Sequence, residues 1–145
     1  GDQKNGIVDF CDKDYFKRSI DKLLYKKNLS LNDIELVIFC EEIEWPKKNI
    51  SLNGVSVKYI IGDDETATSD FKQMINCEHM IIPNSYFSWW AAAYISYISK
   101  GIIICPDLWW DRVSVSNFNI YPKDWLIVKT NVEENKFPEY LKNSL

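Results

Sequence analysis

Three short runs without a polar residue restrict what this chain can fold into. Leu36-Val37-Ile38-Phe39-Cys40 follows Glu35, Met80-Ile81-Ile82 follows His79, and Ile102-Ile103-Ile104-Cys105 follows Gly101. A strand with one wet face alternates apolar and polar residues. A run that does not alternate predicts a strand covered on both faces, as in a parallel sheet. Val55 to Ile61 and Trp125 to Val128 read as two further strands.

Helical patterns stand between these runs. Asp12 suits the cap of a helix to about Lys27, with Phe16, Ile20, Leu23 and Leu24 on one face. Thr68 or Ser69 is placed to cap a second helix carrying Asp70, Phe71, Met74 and Ile75. The segment from Phe87 to about Ile98 is apolar almost all round and predicts a buried helix, with Gly101 as the residue that closes it. Helices alternating with apolar strands predict an α/β fold, an open and mostly parallel sheet joined by right-handed crossovers. The tail from Glu133, with Pro138, allows a short closing helix.

Size and charge narrow the function. The 145 residues suffice for a single domain with a proper core, and 46% hydrophobic with 26% charged is a globular composition. The net charge of −4 argues against nucleic acid as the main partner, because phosphates would find no bulk counter-charge. Cys11, Cys40, Cys77 and Cys105 form no Cys-x-x-Cys pair, and the single histidine makes a zinc site a poor reading. Scattered thiols at the ends of apolar runs fit buried, reduced cysteines and a reducing, cytoplasmic setting. Gly62-Asp63-Asp64-Glu65 lacks the alternating ligand spacing of a calcium loop. Neither the glycine-rich dinucleotide fingerprint nor the phosphate-binding lysine loop occurs.

In a parallel sheet the loops after successive strands gather on one edge, where α/β proteins hold ligands. Three such loops are Glu41 to Trp45, Pro83 to Ser88 and Pro106 to Arg112. The second is the most informative. Asn84, Ser85, Tyr86, Phe87 and Ser88 stand at a helix mouth just past a strand, where unpaired N–H groups and the helix dipole favour an anion such as a diphosphate. Glu41, Glu42 and Trp109 are candidate cleft residues. The plainer reading of Glu41-Glu42 is a solvated turn. Asp70, in a first helical turn, is by residue type alone a complement to the helix dipole. His79 reads as a core residue.

The run from Asp70 to Ala92, Asp-Phe-Lys-Gln-Met-Ile-Asn-Cys-Glu-His-Met-Ile-Ile-Pro-Asn-Ser-Tyr-Phe-Ser-Trp-Trp-Ala-Ala, resembles the signature of the bacterial α-1,2-fucosyltransferases, glycosyltransferase family 11. Asp14-Tyr15-Phe16 resembles the family's helix start. Phe39 to Trp45 resembles its Phe-Ser-Asp-Asp-x-x-Trp segment, with Cys40 and Glu41-Glu42 in place of the Ser and the Asp pair. Ile104-Cys105-Pro106 with Trp109, Pro122 and Trp125 resembles its closing segment, so the likeness spans roughly residues 9–130. Pro83 stands where an alanine is usual and Tyr86 where a small residue is.

The resemblance implies a Rossmann-like sheet with helices on both faces, one half of a GT-B-like fold. Residues 1–145 would be a single C-terminal, nucleotide-sugar-binding domain, with the N-terminal part absent. It implies inverting transfer of L-fucose from GDP-fucose to a galactose hydroxyl of a glycan, with no essential metal or other cofactor. Asp70 would hold the guanosine part of the donor, and Ser85 to Ser88 the diphosphate. Peripheral membrane association of the full-length enzyme is compatible with it. The family's His-x-Arg-Arg motif does not occur in these residues; Gly1-Asp2 resembles the tail of an Arg-Arg-Gly-Asp stretch. Two alternatives stand beside this reading: a non-catalytic binding module of the same fold, and a transferase using another GDP-sugar.

Overall fold

The structure is a computed structural model that describes residues 11–134. The closing helix expected around Pro138 lies outside the described residues. The chain runs α1 (Lys13–Lys27), β1 (Glu35–Cys40), α2 (Glu44–Asn49), β2 (Ser56–Ile61), α3 (Ala67–Met74), β3 (Met80–Ile81), α4 (Tyr86–Tyr94), β4 (Ile103–Pro106) and β5 (Leu126–Val128). A π-helical turn, Ile95–Ser99, extends α4. Every strand pairing is parallel, so the class is α/β as expected. The strands form two sets rather than one continuous ladder. β1 pairs with β2 from Glu35↔Ser56 to Cys40↔Ile61, and β3, β4 and β5 lie side by side. β3 contributes only two residues of regular ladder.

β4 explains why the helices take both faces. Its four residues are all buried, and successive side chains point to opposite sides. Ile104, with Leu108 and Val128, packs under Cys11 and Tyr15 at the start of α1. Ile103 and Cys105 pack with Ile82, Trp125 and, from the α4 side, Ala92 and Ile95. Asp12 caps α1 as expected, accepting the Tyr15 N–H at 2.8 Å.

His79 serves the sheet as a core residue. Its Nδ1 accepts the Ile102 N–H at 3.0 Å, so a side chain supplies a bond just before the β3–β4 ladder begins. The helix end differs from expectation. Lys100, not Gly101, takes the left-handed conformation, at φ 57°. Gly101 is needed for closeness instead, because a Cβ there would overlap the Glu78 carbonyl oxygen and crowd Ile95.

α4 is not buried all round, although its composition predicts that. Ser88, Ala91, Ala92 and Ile95 form the buried stripe, at spacings of three and four. Phe87, Trp90, Tyr94, Tyr97 and Ile98 are exposed. The sheet touches one side of the helix only. Trp90, expected as packing, is 63% exposed, whereas Trp89 lies against Trp125 and donates its indole N–H to the Ile120 carbonyl at 2.9 Å. Among the described residues no helix is long and apolar enough to cross a membrane.

Candidate active site

Because the named strands all pair in parallel, the segments after β1, β2, β3, β4 and β5 leave from the same edge of their sheets. β3 ends at Ile81, and Ile82 extends it by one bond to the Ile104 carbonyl at 2.9 Å. Pro83 and Asn84 then turn the chain, with the Ser85 N–H closing on the Pro83 carbonyl at 2.9 Å. Ser85 stays extended, at φ −125° and ψ 127°, and caps α4: its hydroxyl accepts the Ser88 N–H at 3.4 Å. That bond is long, so it competes weakly with an incoming anion for the same N–H. The sequence motif therefore does form a helix mouth directly past a parallel strand, with Asn84 and Ser85 half-buried and Ser88 buried.

Aromatic contacts bring two of the three expected loops together. The Tyr86 ring lies edge-on to Trp109 at 5.7 Å and tilted against Trp110 at 5.9 Å. The segment after β3 therefore touches the segment after β4. Within this pair the roles of the tryptophans correct the sequence expectation. Trp109 is 1% exposed, wedged between Tyr86 and Tyr121, and does not offer an open wall to a ligand. Its neighbour Trp110 is half exposed and presents the aromatic surface instead. The third loop approaches through α1: Trp45 meets Phe16 edge-on at 6.2 Å, next to Tyr15. Glu41 and Glu42 are exposed just beyond β1.

Tyr15 supports the turn from behind, and Asp70 lies in the neighbouring helix α3. The Tyr15 hydroxyl donates to the Ile82 carbonyl at 2.7 Å, the last residue before the turn. Burial, aided by the nearby Cys11, Cys105 and Tyr121, pushes its ionisation well above the ordinary phenol range, so it stays a donor. Asp70 is only 9% exposed and accepts the Thr66 hydroxyl at 2.8 Å. Phe71, beside it in α3, meets Phe87 of α4 edge-on at 5.8 Å, which ties the Asp70 helix to the helix mouth.

Sequence reasoning missed Tyr15 as a strut, and Gly62 and Thr66 as neighbours of Asp70. Gly62 carried a signal: a glycine directly after a strand marks close approach by another group. Thr66 lies four residues before Asp70, the spacing of neighbours on a helix. Among the described residues no three His, Cys, Asp or Glu side chains stand together as a metal cluster.

A buried carboxylate, a hydroxyl-lined helix mouth and an exposed aromatic ring lie toward the strand-end edge of a parallel α/β fold, the edge where such folds hold ligands. The sequence profile described as "Glycosyl transferase family 11" matches residues 2–129, and the chain belongs to that family. It is 34% identical over 126 residues to an α-1,2-colitosyltransferase from Escherichia coli, an alignment covering 85% of this chain and 41% of that protein. The chain thus spans about two fifths of the curated relative's length. No solved structure matches it.

Proposed function

We propose that this chain is the C-terminal, donor-binding domain of a galactoside α-1,2-fucosyltransferase-like enzyme, which moves L-fucose from GDP-fucose to a galactose hydroxyl of a glycan with inversion. One observation carries the reading. In a family 11 chain, Ser85 opens α4 directly past β3, on the edge where the turn after β3 meets the segment after β4. The α4 N–H groups and the positive end of its dipole suit the donor's diphosphate. Asn84 and Ser85 add polar contacts, Tyr86 and Phe87 flank the mouth, and Asp70 holds the guanosine part.

The acceptor oxygen bonds to the anomeric carbon from the face opposite the leaving group. The bond from that carbon to the diphosphate oxygen breaks, and its electron pair leaves with GDP. The acceptor's proton passes to a carboxylate base. Charge developing on GDP needs a cation as well as N–H donors, and the reading places an arginine outside residues 1–145 in that role. No metal is required on this scheme. Cys40, Cys77 and Cys105 carry no disulfide, which fits a cytoplasmic enzyme.

A second reading has a specific support: the relative is named for colitosyl, not fucosyl, transfer. On that reading the same domain takes another GDP-sugar. Calorimetric titration with GDP, GDP-fucose, GDP-mannose and UDP separates these ideas. Tighter binding of GDP-fucose than of GDP-mannose is expected. Equal affinity for the two sugars favours the second reading, and binding UDP as well as GDP sinks both.

A further inference from the structure

We propose that Gly62 and Thr66 are positioning residues for the Asp70 carboxylate, so that the loop between β2 and α3 sets affinity for the nucleotide half of the donor. The proposal rests on the reading of Asp70 as a donor-binding residue. Its starting point is that Asp70, in the first turn of α3, bonds side-chain hydroxyls and not the backbone N–H groups of that turn. The turn that opens α3 is closed by Asp63, whose Oδ1 accepts the Glu65 N–H at 2.9 Å and the Thr66 N–H at 3.0 Å. Asp63, not Asp70, serves the N–H groups of that turn.

The loop holds that carboxylate in one pose. The Asp63 N–H donates to Thr66 Oγ1 at 2.8 Å, which fixes the hydroxyl. The hydroxyl has one proton, and Asp70 Oδ2 takes it at 2.8 Å, a shorter contact than the 3.2 Å to the Asp63 carbonyl. A hydrogen bond to a charged acceptor is the stronger of the two choices. Asp70 Oδ1 meets the Ser69 hydroxyl only at 3.5 Å, the limit of a bond. One oxygen is anchored, and the other keeps acceptor capacity for a ligand N–H or O–H.

Gly62 makes the pose possible. A Cβ at this position would overlap Asp70 Oδ2 and come within 3.0 Å of both Asp70 Cγ and Thr66 Oγ1. The backbone has little room to yield, because the Gly62 N–H is bonded to the Cys40 carbonyl at 3.1 Å, continuing the β1–β2 pairing. Any side chain here must push the carboxylate away. The sequence Gly62-Asp63-x-x-Thr66-x-x-x-Asp70 is thus a single device: a cap, a relay hydroxyl, a carboxylate and the gap that receives it.

The test is calorimetric titration of GDP into the protein and its variants, with thermal melting alongside. Asp70→Asn is expected to weaken GDP by about tenfold or more, the loss of a bond to a charged group. Thr66→Val and Gly62→Ala should each weaken it at least fivefold or so while the melting curve stays cooperative. Thr66→Ser, which keeps the hydroxyl, should restore binding to within about twofold. If Gly62→Ala does not fold, the Thr66 pair decides alone. Wild-type affinity in Thr66→Val, with a loss in Asp70→Asn, overturns the positioning role and leaves the reading of Asp70 intact. Equal weakening in Thr66→Ser and Thr66→Val also overturns it, since packing of the side chain would then be responsible. Unchanged affinity in Asp70→Asn removes the reading itself.

Discussion

The hydroxyl of Tyr15, the third residue of α1, is bonded at 2.7 Å to the carbonyl of Ile82, across 67 positions of sequence and wholly out of solvent. Ile82 is the residue from which the chain leaves the sheet to form the α4 mouth. The first helix of the domain is thereby pinned to the floor of its site.

Tyr15→Phe leaves the ring in place and orphans a buried carbonyl. Such a loss costs about 1–3 kcal/mol. Urea unfolding should report a fall of that size, with the slope unchanged. A shift inside the measurement error would mean that another donor or a water replaces the hydroxyl.

The two tryptophans at the centre of α4 should behave oppositely. Trp89 packs on Trp125 and bonds the Ile120 carbonyl, so Trp89→Ala is expected to cost about 3–5 kcal/mol. Trp90 is 63% exposed and meets Trp89 edge-on at 5.0 Å, so Trp90→Ala should cost no more than about 1 kcal/mol. Chemical denaturation of the two variants side by side checks the pair; similar losses would place a covering partner over Trp90.

That contrast marks how far the sequence could be read. Elements whose signal is local were legible: the Asp12 cap, the face of Phe16 and Ile20, and the unbroken apolar run at Ile102 to Cys105 that became the fully buried β4. The helix mouth at Ser85 was legible too, because a strand, a turn and a capping hydroxyl lie in one short stretch. What escaped depends on contacts distant in sequence or on helical phase. Trp109 and Trp110 are the same residue type in the same loop, and only the loop's path buries the first against Tyr86 and Tyr121. The apolar composition of α4 hid its phase, although Ser88, Ala91, Ala92 and Ile95 carried it as the small or β-branched stripe that fits a sheet. Tyr15 could not be tied to Ile82 by any rule of spacing.

His79 gives the fold a dependence on pH. Its Nδ1 must be unprotonated to accept the Ile102 N–H. Burial lowers its pKa below the ordinary 6.5, despite Glu78 alongside. Between the folded and the ordinary value the unfolded chain binds more protons, so stability rises with pH there. This contribution is full above pH 6.5 and is lost as pH falls through the lowered folded value. Denaturation midpoints measured from pH 7.5 down to about 5 should fall, and His79→Gln should flatten the part of the slope due to this group. An identical slope in the variant would assign the acid sensitivity to carboxylates.

Lys100 and Gly101 hold each other's expected places. Lys100 sits at φ 57°, where a side chain strains against its own backbone, and Gly101 sits where a Cβ would strike the Glu78 carbonyl. Lys100→Gly removes the strain but frees the unfolded chain, and it also takes the ammonium from above the Tyr97 ring, 5.2 Å away. The net gain should therefore be small, no more than about 1 kcal/mol. Gly101→Ala has no such compensation. The overlapping atom belongs to backbone, next to the pairing of Met80 with Ile103, so the strand and the end of the helix must separate. A loss of about 1–3 kcal/mol is expected, the range for overpacking a well-filled core. Thermal melting of both variants decides the matter: Gly101→Ala melting as wild type would mean that the turn relaxes freely, and that closeness to Glu78 is not what requires a glycine there.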